Sequence, residues 1–305
     1  MGNQQLSLSR NGGLIGNLPE SNWSSPLRLL DQSLTKFSGI LPETIGDLIH
    51  LNVLDLSYCK FTDSIPRSLW NLTGITILDL TFNNFTGQVP TLVSNLRKLT
   101  RLSFAHNSFS GQFPDVLGNL SKVIEIYLFD NNFSGQLPLS AFNLTQVSHL
   151  HFSHNEFVGH LPYQVSGHSS LSILKLSNNF LIGRVPSWLF ILPSLQYLDL
   201  RNNKFTGPIP NPIFQPLNLS LLDLSSNNLT GIVRSEFFSK FKNLEVMDLS
   251  NNSLLSLRTQ TNVNSMLPRL KVFGFSSCNI TEFPVFLRTS TELMILDLSY
   301  NKISV

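Results

Sequence analysis

Charged side chains are scarce in this chain of 305 residues. They make up 13% of it, against roughly 25% in average proteins, and the formal net charge is only +2. No stretch of the sequence concentrates lysine or arginine. The sequence therefore gives no reason to expect a nucleic acid or an anionic membrane surface as a partner.

Long apolar runs and catalytic motifs are also missing. No run approaches the ~18–20 residues of a membrane span, and residues 1–5 (MGNQQ) do not begin a signal peptide, which needs a basic region followed by an apolar one. The sequence has no glycine-rich phosphate loop, nucleophile elbow or zinc-binding helix motif. We therefore predict a protein that is not an enzyme and needs no cofactor.

A motif of the form Leu-x-x-Leu-x-Leu-x-x-Asn returns about every 24 residues, most clearly as Ile75, Leu78, Leu80 and Asn83. In constant register its last position, here called the ladder position, holds Asn11, Thr35, Cys59, Asn83, Asn107, Asn131, Asn155, Asn179, Asn203 and Asn227, followed less regularly by Asn252, Cys278 and Asn301. A fixed period of this size predicts stacked repeats and not a globular core.

The fold class predicted from this period is an α/β repeat solenoid, a right-handed horseshoe with a parallel concave sheet and few helices. We expect residues 1–305 to form a single solenoid of about 12–13 repeats, more irregular from about residue 228 and uncapped at both ends. Function is then expected on a surface that several repeats share.

Three further columns complete the repeat. Two residues after the ladder position stands a large apolar residue, as in Phe61, Phe85 and Phe109, which predicts a core spine. A glycine and then a proline follow in most repeats, which suits a tight backbone path and the start of a short helical turn. The whole unit reads Asn-x-Phe-x-Gly-x-Ile/Val/Leu-Pro.

Both cysteines, Cys59 and Cys278, occupy ladder positions nine repeats apart. At roughly 4.8 Å per strand, a continuous solenoid would separate them by about 43 Å, whereas a disulfide needs Cα atoms about 4.4–6.8 Å apart. We therefore expect two reduced, buried thiols.

This repeat unit resembles the plant extracellular type of leucine-rich repeat over nearly the whole chain. Residues 17–28 (NLPESNWSSPLR) and residues 277–284 (SCNITEFP) resemble the Cf-type receptor-like proteins of plant immunity. The resemblance implies a receptor at the extracellular face of the plasma membrane, which recognises a pathogen-derived or developmental ligand and signals through partner co-receptor kinases. Three alternatives stay open: a soluble protein similar to polygalacturonase inhibitors, a fragment of a receptor-kinase ectodomain, and a non-functional truncated remnant.

Ten Asn-x-Ser/Thr sequons favour a secreted protein, although the repeat consensus itself produces some of them. The candidate glycosylation sites are Asn22, Asn71, Asn84, Asn119, Asn132, Asn143, Asn218, Asn228, Asn251 and Asn279.

The residue between the last two leucines is usually aspartate, as in Asp55 and Asp79, but four adjacent repeats depart from this pattern. Together with their outward neighbours, the departures define a candidate ligand-binding concave face: Arg101, Ser103, His106, Tyr127, Phe129, Asp130, His149, His151, His154, Lys175, Tyr197 and Arg201. Aromatic residues and arginine are enriched in binding hot spots, so we expect a protein or peptide ligand; neutral drift is the competing explanation. The histidines predict a preference for an acidic ligand in a mildly acidic compartment.

Overall fold

The computed structural model describes residues 4–20, 23, 26–166, 170–211, 218–238, 240–258 and 267–304. The chain divides into two compact units, residues 1–157 and residues 158–305. Each unit is described by itself.

The first unit consists of short parallel strands that belong alternately to two sheets. They are β1 Gln4–Ser7, β2 Ile15–Gly16, β3 Leu27–Asp31, β4 Lys36–Ile40, β5 Val53–Asp55, β6 Lys60–Asp63, β7 Ile77–Asp79, β8 Asn84–Gly87, β9 Arg101–Ser103, β10 Ser108–Gln112, β11 Glu125–Tyr127, β12 Asn132–Gln136 and β13 His149–His151. The odd-numbered strands carry the repeated leucines and form the leucine sheet, and the even-numbered strands form the second sheet.

The second unit repeats this alternation after β14 Glu156–Gly159, within which the chain leaves the first unit. Its strands are β15 Ile173–Lys175, β16 Phe180–Arg184, β17 Tyr197–Asp199, β18 Lys204–Gly207, β19 Leu221–Asp223, β20 Asn228–Arg234, β21 Val246–Asp248, β22 Leu254–Arg258, β23 Val272–Gly274 and β24 Ile295–Asp297. Here β15, β17, β19, β21, β23 and β24 form the leucine sheet, and the even-numbered strands up to β22 form the second sheet.

Helices in the described residues are single turns. The 3₁₀ turns are Glu43–Asp47, Arg67–Asn71, Thr91–Asn95, Leu117–Asn119 and Leu139–Asn143 in the first unit, and Ser187–Ile191 and Val285–Thr289 in the second, which also has an α-helical turn, α1, at Ser235–Phe238. The proline of the repeat stands at the N-cap of most 3₁₀ turns, for example Pro66 and Pro90. Its missing N–H costs nothing there, because the first amides of a helix have no partner within it.

The core of the first unit consists of stacked columns, as the repeat predicts. Leu54, Leu78 and Leu102 pair in register on β5, β7 and β9, and all three are fully buried. The spine phenylalanines stack at the repeat spacing, with centroids 6.1 Å apart both for Phe61 and Phe85 and for Phe85 and Phe109. These contacts confirm the predicted parallel repeat fold and the assignment of the phenylalanine column to the core.

The ladder asparagines connect consecutive turns. The side-chain oxygen of Asn83 accepts the N–H of Phe61 at 2.9 Å, and its amide donates to the carbonyls of Leu56 at 2.7 Å and Leu80 at 3.1 Å. Most other ladder asparagines repeat these bonds, for example Asn131 and Asn203. Each amide therefore satisfies backbone groups that would otherwise be buried without a partner.

The two cysteines replace only part of this function. Both are free and buried, as predicted, and their thiols donate to carbonyls: Cys59 to Gln32 at 3.1 Å and Cys278 to Leu249 at 3.4 Å. A thiol offers no strong acceptor, so the N–H of Phe37 donates at 3.3 Å to the hydroxyl of Thr35 instead.

The second sheet was not predicted from the sequence. Most of its strands in the first unit have a glycine with positive φ at their last or second-last residue, as at Gly87 (φ 79°), and in one repeat Asp63 takes the same conformation (φ 64°). A strand that includes such a residue has no regular alternation of polar and apolar residues. The sequence pattern there reads as a turn.

Candidate functional site

The aspartate that most repeats carry on the leucine sheet has a structural role. The carboxylate of Asp55 accepts the N–H of Ser57 at 2.9 Å, and that of Asp79 accepts the N–H of Thr81 at 3.0 Å. Asp223 does the same in the second unit, with Ser225 at 3.0 Å. Each side chain thus closes the turn that ends its strand. A repeat with another residue at this position lacks this hydrogen bond, so the needs of the scaffold do not explain that residue.

Arg101, at the start of β9, lies between two carboxylates. Its guanidinium is 3.4 Å from Asp79 on β7 and 3.4 Å from Glu125 on β11. Its Cζ atom also lies 5.3 Å from the ring centroid of Tyr127. The side chain is half-exposed, but its charge is already compensated by two neighbouring strands.

An aromatic cluster occupies β11, β13 and the residues that follow β11. Phe129 stacks on His151 with centroids 3.9 Å apart and ring planes at 15°. The ring centroid of Tyr127 lies 6.4 Å from that of Phe129 and 6.5 Å from that of His151, and both pairs are nearly perpendicular. It lies 6.4 Å from the ring centroid of His149. Burial, followed by the negative charge of Glu125, raises the pKa of Tyr127, so the phenol stays neutral.

Asp130 connects two histidines of neighbouring repeats. Its carboxylate is 3.1 Å from Nδ1 of His106 and 3.6 Å from Nδ1 of His154. The cluster of Tyr127, Phe129 and His151 is therefore surrounded by six other predicted site residues, all in the first unit. They are Arg101, Ser103, His106, Asp130, His149 and His154.

Ser103 contributes little surface, because it is 2% exposed. Its hydroxyl lies 2.5 Å from that of Thr81, and Ala105 beside it is fully buried. The surface is therefore recessed at Ser103 and Ala105, and the larger side chains of Tyr127 and Phe129 on the next repeat form a step beside it. Ser103 forms part of the floor of this step and is not one of its protruding side chains.

Two further residues of this face, Tyr58 and Phe82, were not predicted from the sequence. They are 48% and 39% exposed, and each stands directly before a ladder position. Tyr58 stacks on Phe82 at 4.4 Å, Phe82 stacks on His106 at 3.7 Å, and His106 contacts Phe129 edge-on at 4.9 Å. The signal was an aromatic residue at a position where several later repeats have asparagine or serine.

With His151 these rings form a continuous diagonal of five side chains on five consecutive repeats, which we call the aromatic track: Tyr58, Phe82, His106, Phe129 and His151.

The first three rings of the track stand on an unfavourable backbone. Tyr58, Phe82 and His106 have φ values of 54°, 53° and 51°, in the left-handed region. At the same repeat position of the second unit, the residues include Asn178 and Asn202. Asparagine tolerates this conformation far better than a bulky aromatic residue does. The repeat imposes this conformation at the position, including at Leu34 and Tyr300, so backbone preference does not explain the aromatic side chains.

Three predicted site residues lie in the second unit. Lys175 is half-buried on β15, and Tyr197 is exposed at the start of β17. Arg201 follows β17, where its guanidinium is 3.4 Å from Asp223 and 3.8 Å from Asp199. Like Arg101, Arg201 is already paired with carboxylates of the scaffold.

The sequons differ in exposure. Eight of the ten asparagines are exposed: Asn71, Asn84, Asn119, Asn132, Asn143, Asn218, Asn228 and Asn251. Asn279 is half-buried, and Asn22 lies outside the described residues.

Comparison with known families fits this repeat architecture. Residues 22–207 match the family described as "Leucine-rich repeat region", and residues 218–239 match the single "Leucine Rich Repeat" unit. This chain belongs to the leucine-rich repeat family.

Among the curated relatives of this leucine-rich repeat chain, Receptor-like protein 18 of Arabidopsis thaliana is 37% identical over 79 residues, 22% of this chain and 10% of that protein. Receptor-like protein 53 of the same plant is 40% identical over 67 residues, 22% of this chain and 7% of that protein.

Solved structures similar to the leucine-rich repeat chain include peptide-hormone receptors of plants. The Arabidopsis receptor kinase HAESA ectodomain, solved with an N-terminally extended IDA peptide hormone, has a TM-score of 0.89 at 32% identity over 99% of this chain and 50% of that one. The plant peptide hormone receptor RGFR1, solved with RGF2, has a TM-score of 0.88 at 31% identity over 95% of this chain and 46% of that one. The resemblance to plant receptor-like proteins is thereby confirmed.

The leucine-rich repeat chain corresponds to part of each of these proteins. The matches cover a tenth or less of the two receptor-like proteins and about half of the two receptor ectodomains. Within the described ranges, no helix has the length and apolar character needed to cross a membrane. In the same ranges, no three His, Cys, Asp or Glu side chains are grouped so that they could hold a metal ion.

Proposed function

We propose that the chain is a ligand-recognition part of a plant cell-surface receptor-like protein, and that it binds a protein or peptide through the leucine sheet of the first unit. The observation that carries this proposal is the cluster of Arg101, Tyr127, Phe129 and His151. Tyr127 and His151 replace the aspartate that serves the scaffold in other repeats, and Phe129 replaces the small residue two positions later. The cluster combines aromatic rings with an arginine, the residue types that dominate binding hot spots.

Three features support the wider context. The similar receptor structures were solved with peptide hormones, and one HAESA structure also contains the co-receptor SERK1. Eight described sequons are exposed, as glycosylation in a secretory compartment requires. The proposal therefore includes an extracellular location, glycosylation and a co-receptor kinase as partner. Lys175, Tyr197 and Arg201 of the second unit are proposed as additional contacts.

The test is a selection of binders from a displayed library of random peptides against the whole chain. Enriched peptides are then measured on Tyr127→Ala and His151→Ala variants and on a control, Ser277→Ala, whose residue also has positive φ but lies in the second unit. We expect both face variants to weaken binding by about fivefold or more, which corresponds to at least ~1 kcal/mol. The control should bind like the unchanged chain. Peptides that bind all four proteins equally would contradict the proposal.

A further inference from the structure

Several rings of the aromatic track have faces covered by a neighbouring ring and present mainly their edges to solvent. Phe82 lies between Tyr58 and His106, with centroid distances of 4.4 and 3.7 Å and ring planes within about 22° of parallel. Phe129 and His151 are stacked in the same way, at 3.9 Å. A face of Tyr127 beside the track is covered by the guanidinium of Arg101, 5.3 Å from the ring centroid.

This orientation decides between classes of ligand. A sugar ring packs its C–H groups on the face of an aromatic ring, and a cation also prefers that face, which carries the negative part of the quadrupole. The edges exposed here carry the positive part. They suit the carbonyl oxygens and apolar side chains of a peptide better than the C–H groups of an oligosaccharide.

Among the described residues, the carboxylates beside the track outnumber the cations that pair with them. Asp31, Asp55 and Asp79 pair in register on β3, β5 and β7. Asp79 is ion-paired with Arg101, which is also ion-paired with Glu125. Among the described residues of this face, Arg101 is the arginine that forms ion pairs, and no lysine does so. Burial, together with the charges of Asp79 and Asp31, raises the pKa of Asp55, as expected where carboxylates lack a cationic neighbour. A positive group brought by a ligand would relieve this repulsion.

The dimensions fit a single extended chain. The track crosses five repeats, or four strand spacings of about 4.8 Å, so it is roughly 19 Å long. At about 3.3 Å per residue this accommodates about six extended residues. The floor beside it consists of small side chains, Ser57, Thr81 and the buried Ala105, and it ends at the step formed by Tyr127 and Phe129.

We propose that this face selects an extended, cationic peptide segment, whose backbone and apolar side chains lie along the ring edges of the aromatic track while its lysine or arginine side chains reach Asp55 in the row formed by Asp31, Asp55 and Asp79. The inference rests on the proposed function and adds the charge and class of the ligand. It reverses the acidic preference that the histidines predict from the sequence, because Arg101 is compensated by Asp79 and Glu125.

The library selection described above tests this through the composition of the enriched peptides. We expect lysine and arginine to be enriched about twofold or more over the starting library, and aspartate and glutamate to be depleted. The bias should disappear when the selection is repeated on an Asp55→Asn, Asp79→Asn double variant, whose amides keep an oxygen that can accept the turn N–H. Ser277→Asn serves as the matched control and should keep the bias.

Two further measurements use one enriched peptide. Its lysines and arginines are replaced by glutamate, and a galacturonic acid oligomer provides the carbohydrate probe. The glutamate peptide should bind at least about tenfold more weakly, and Phe82→Asn should weaken the parent peptide about fivefold. The oligomer should bind no better to the unchanged chain than to Phe82→Asn. Circular dichroism verifies that each variant is folded.

The outcomes separate the two proposals. Peptides that depend on Tyr127 but show no cationic bias would overturn this inference and leave the proposed function standing. Peptides that bind independently of Tyr127 would overturn the proposed function. No enriched peptide at all, or an oligomer whose binding is lost in Phe82→Asn, would contradict the peptide class of the ligand.

Discussion

The residue before each ladder position has a positive φ, so its identity reflects a competition between backbone preference and surface chemistry. Asn202 and Asn251 suit the backbone, whereas Tyr58 and Phe82 place exposed rings on a strained one. The strain is of the order of 1–2 kcal/mol for a bulky side chain. Stacking contributes about 0.5–1.5 kcal/mol for each neighbouring ring, and Phe82 has two such neighbours. The strain and the stacking are of similar size, so stability does not explain why these positions are aromatic.

Phe82→Asn is therefore expected to change the free energy of unfolding by less than about 2 kcal/mol. Phe85→Ala, three residues further along, should cost about 3–5 kcal/mol, because Phe85 is fully buried in the spine. Denaturant unfolding of both variants measures the difference. If Phe82→Asn destabilised the protein as much as Phe85→Ala, Phe82 would belong to the core and not to a binding surface.

The cysteine thiols give a second expectation at this scale. Burial raises the pKa of Cys278 to about 11 and also raises that of Cys59. Only the thiolate reacts, so a thiol reagent at pH 8 should label both slowly in the native protein and rapidly in denaturant. A cysteine introduced by Thr62→Cys, on the exposed surface of β6, provides the fast control. Native labelling of Cys59 or Cys278 at the rate of the control would show that the ladder is open.

At the scale of the element, the strand and its ladder residue act together. Asn131 is buried and makes four hydrogen bonds: it accepts from the N–H of Phe109 and donates to the carbonyls of Phe104, Leu128 and Phe129. Asn132, the next residue, begins β12 and is exposed. Two adjacent asparagines therefore differ almost completely in what they do for the fold.

Asn131→Ala should destabilise the protein by about 2–4 kcal/mol, since it leaves several buried backbone groups without partners. Asn132→Ala should stay within about 0.5 kcal/mol. Thermal unfolding of protein made in bacteria, where sequons carry no glycan, compares the two. Equal effects of the two substitutions would contradict the ladder assignment.

The leucine sheet could be predicted from the sequence because strand, ladder and spine positions repeat at one period. The second sheet could not, since its short strands contain a positive-φ residue such as Gly87 or Asp63 and show no alternation. The site was predicted only in part. Single outward positions do not reveal that Ser103 is buried, that Arg101 is already paired, or that Phe82 connects Tyr58 to His106.

At the scale of the whole molecule, the chain consists of two units built from the same repeat. The predicted site residues are divided between them, and the dense cluster lies in the first unit. That the repeats form one continuous solenoid remains a prediction. The chain spans only part of its relatives, so the receptor, its membrane attachment and its co-receptor belong to the proposed function.

The central claim is that the ligand binds at the aromatic cluster of the first unit, and site-specific photo-cross-linking tests it most directly. A photo-reactive phenylalanine analogue replaces Phe129 in one protein and Phe283, exposed in the second unit, in another. With a peptide from the library selection, we predict an adduct at position 129 and none at position 283. A cross-link at position 283 alone, or none at position 129 while the peptide stays bound, would contradict the claim.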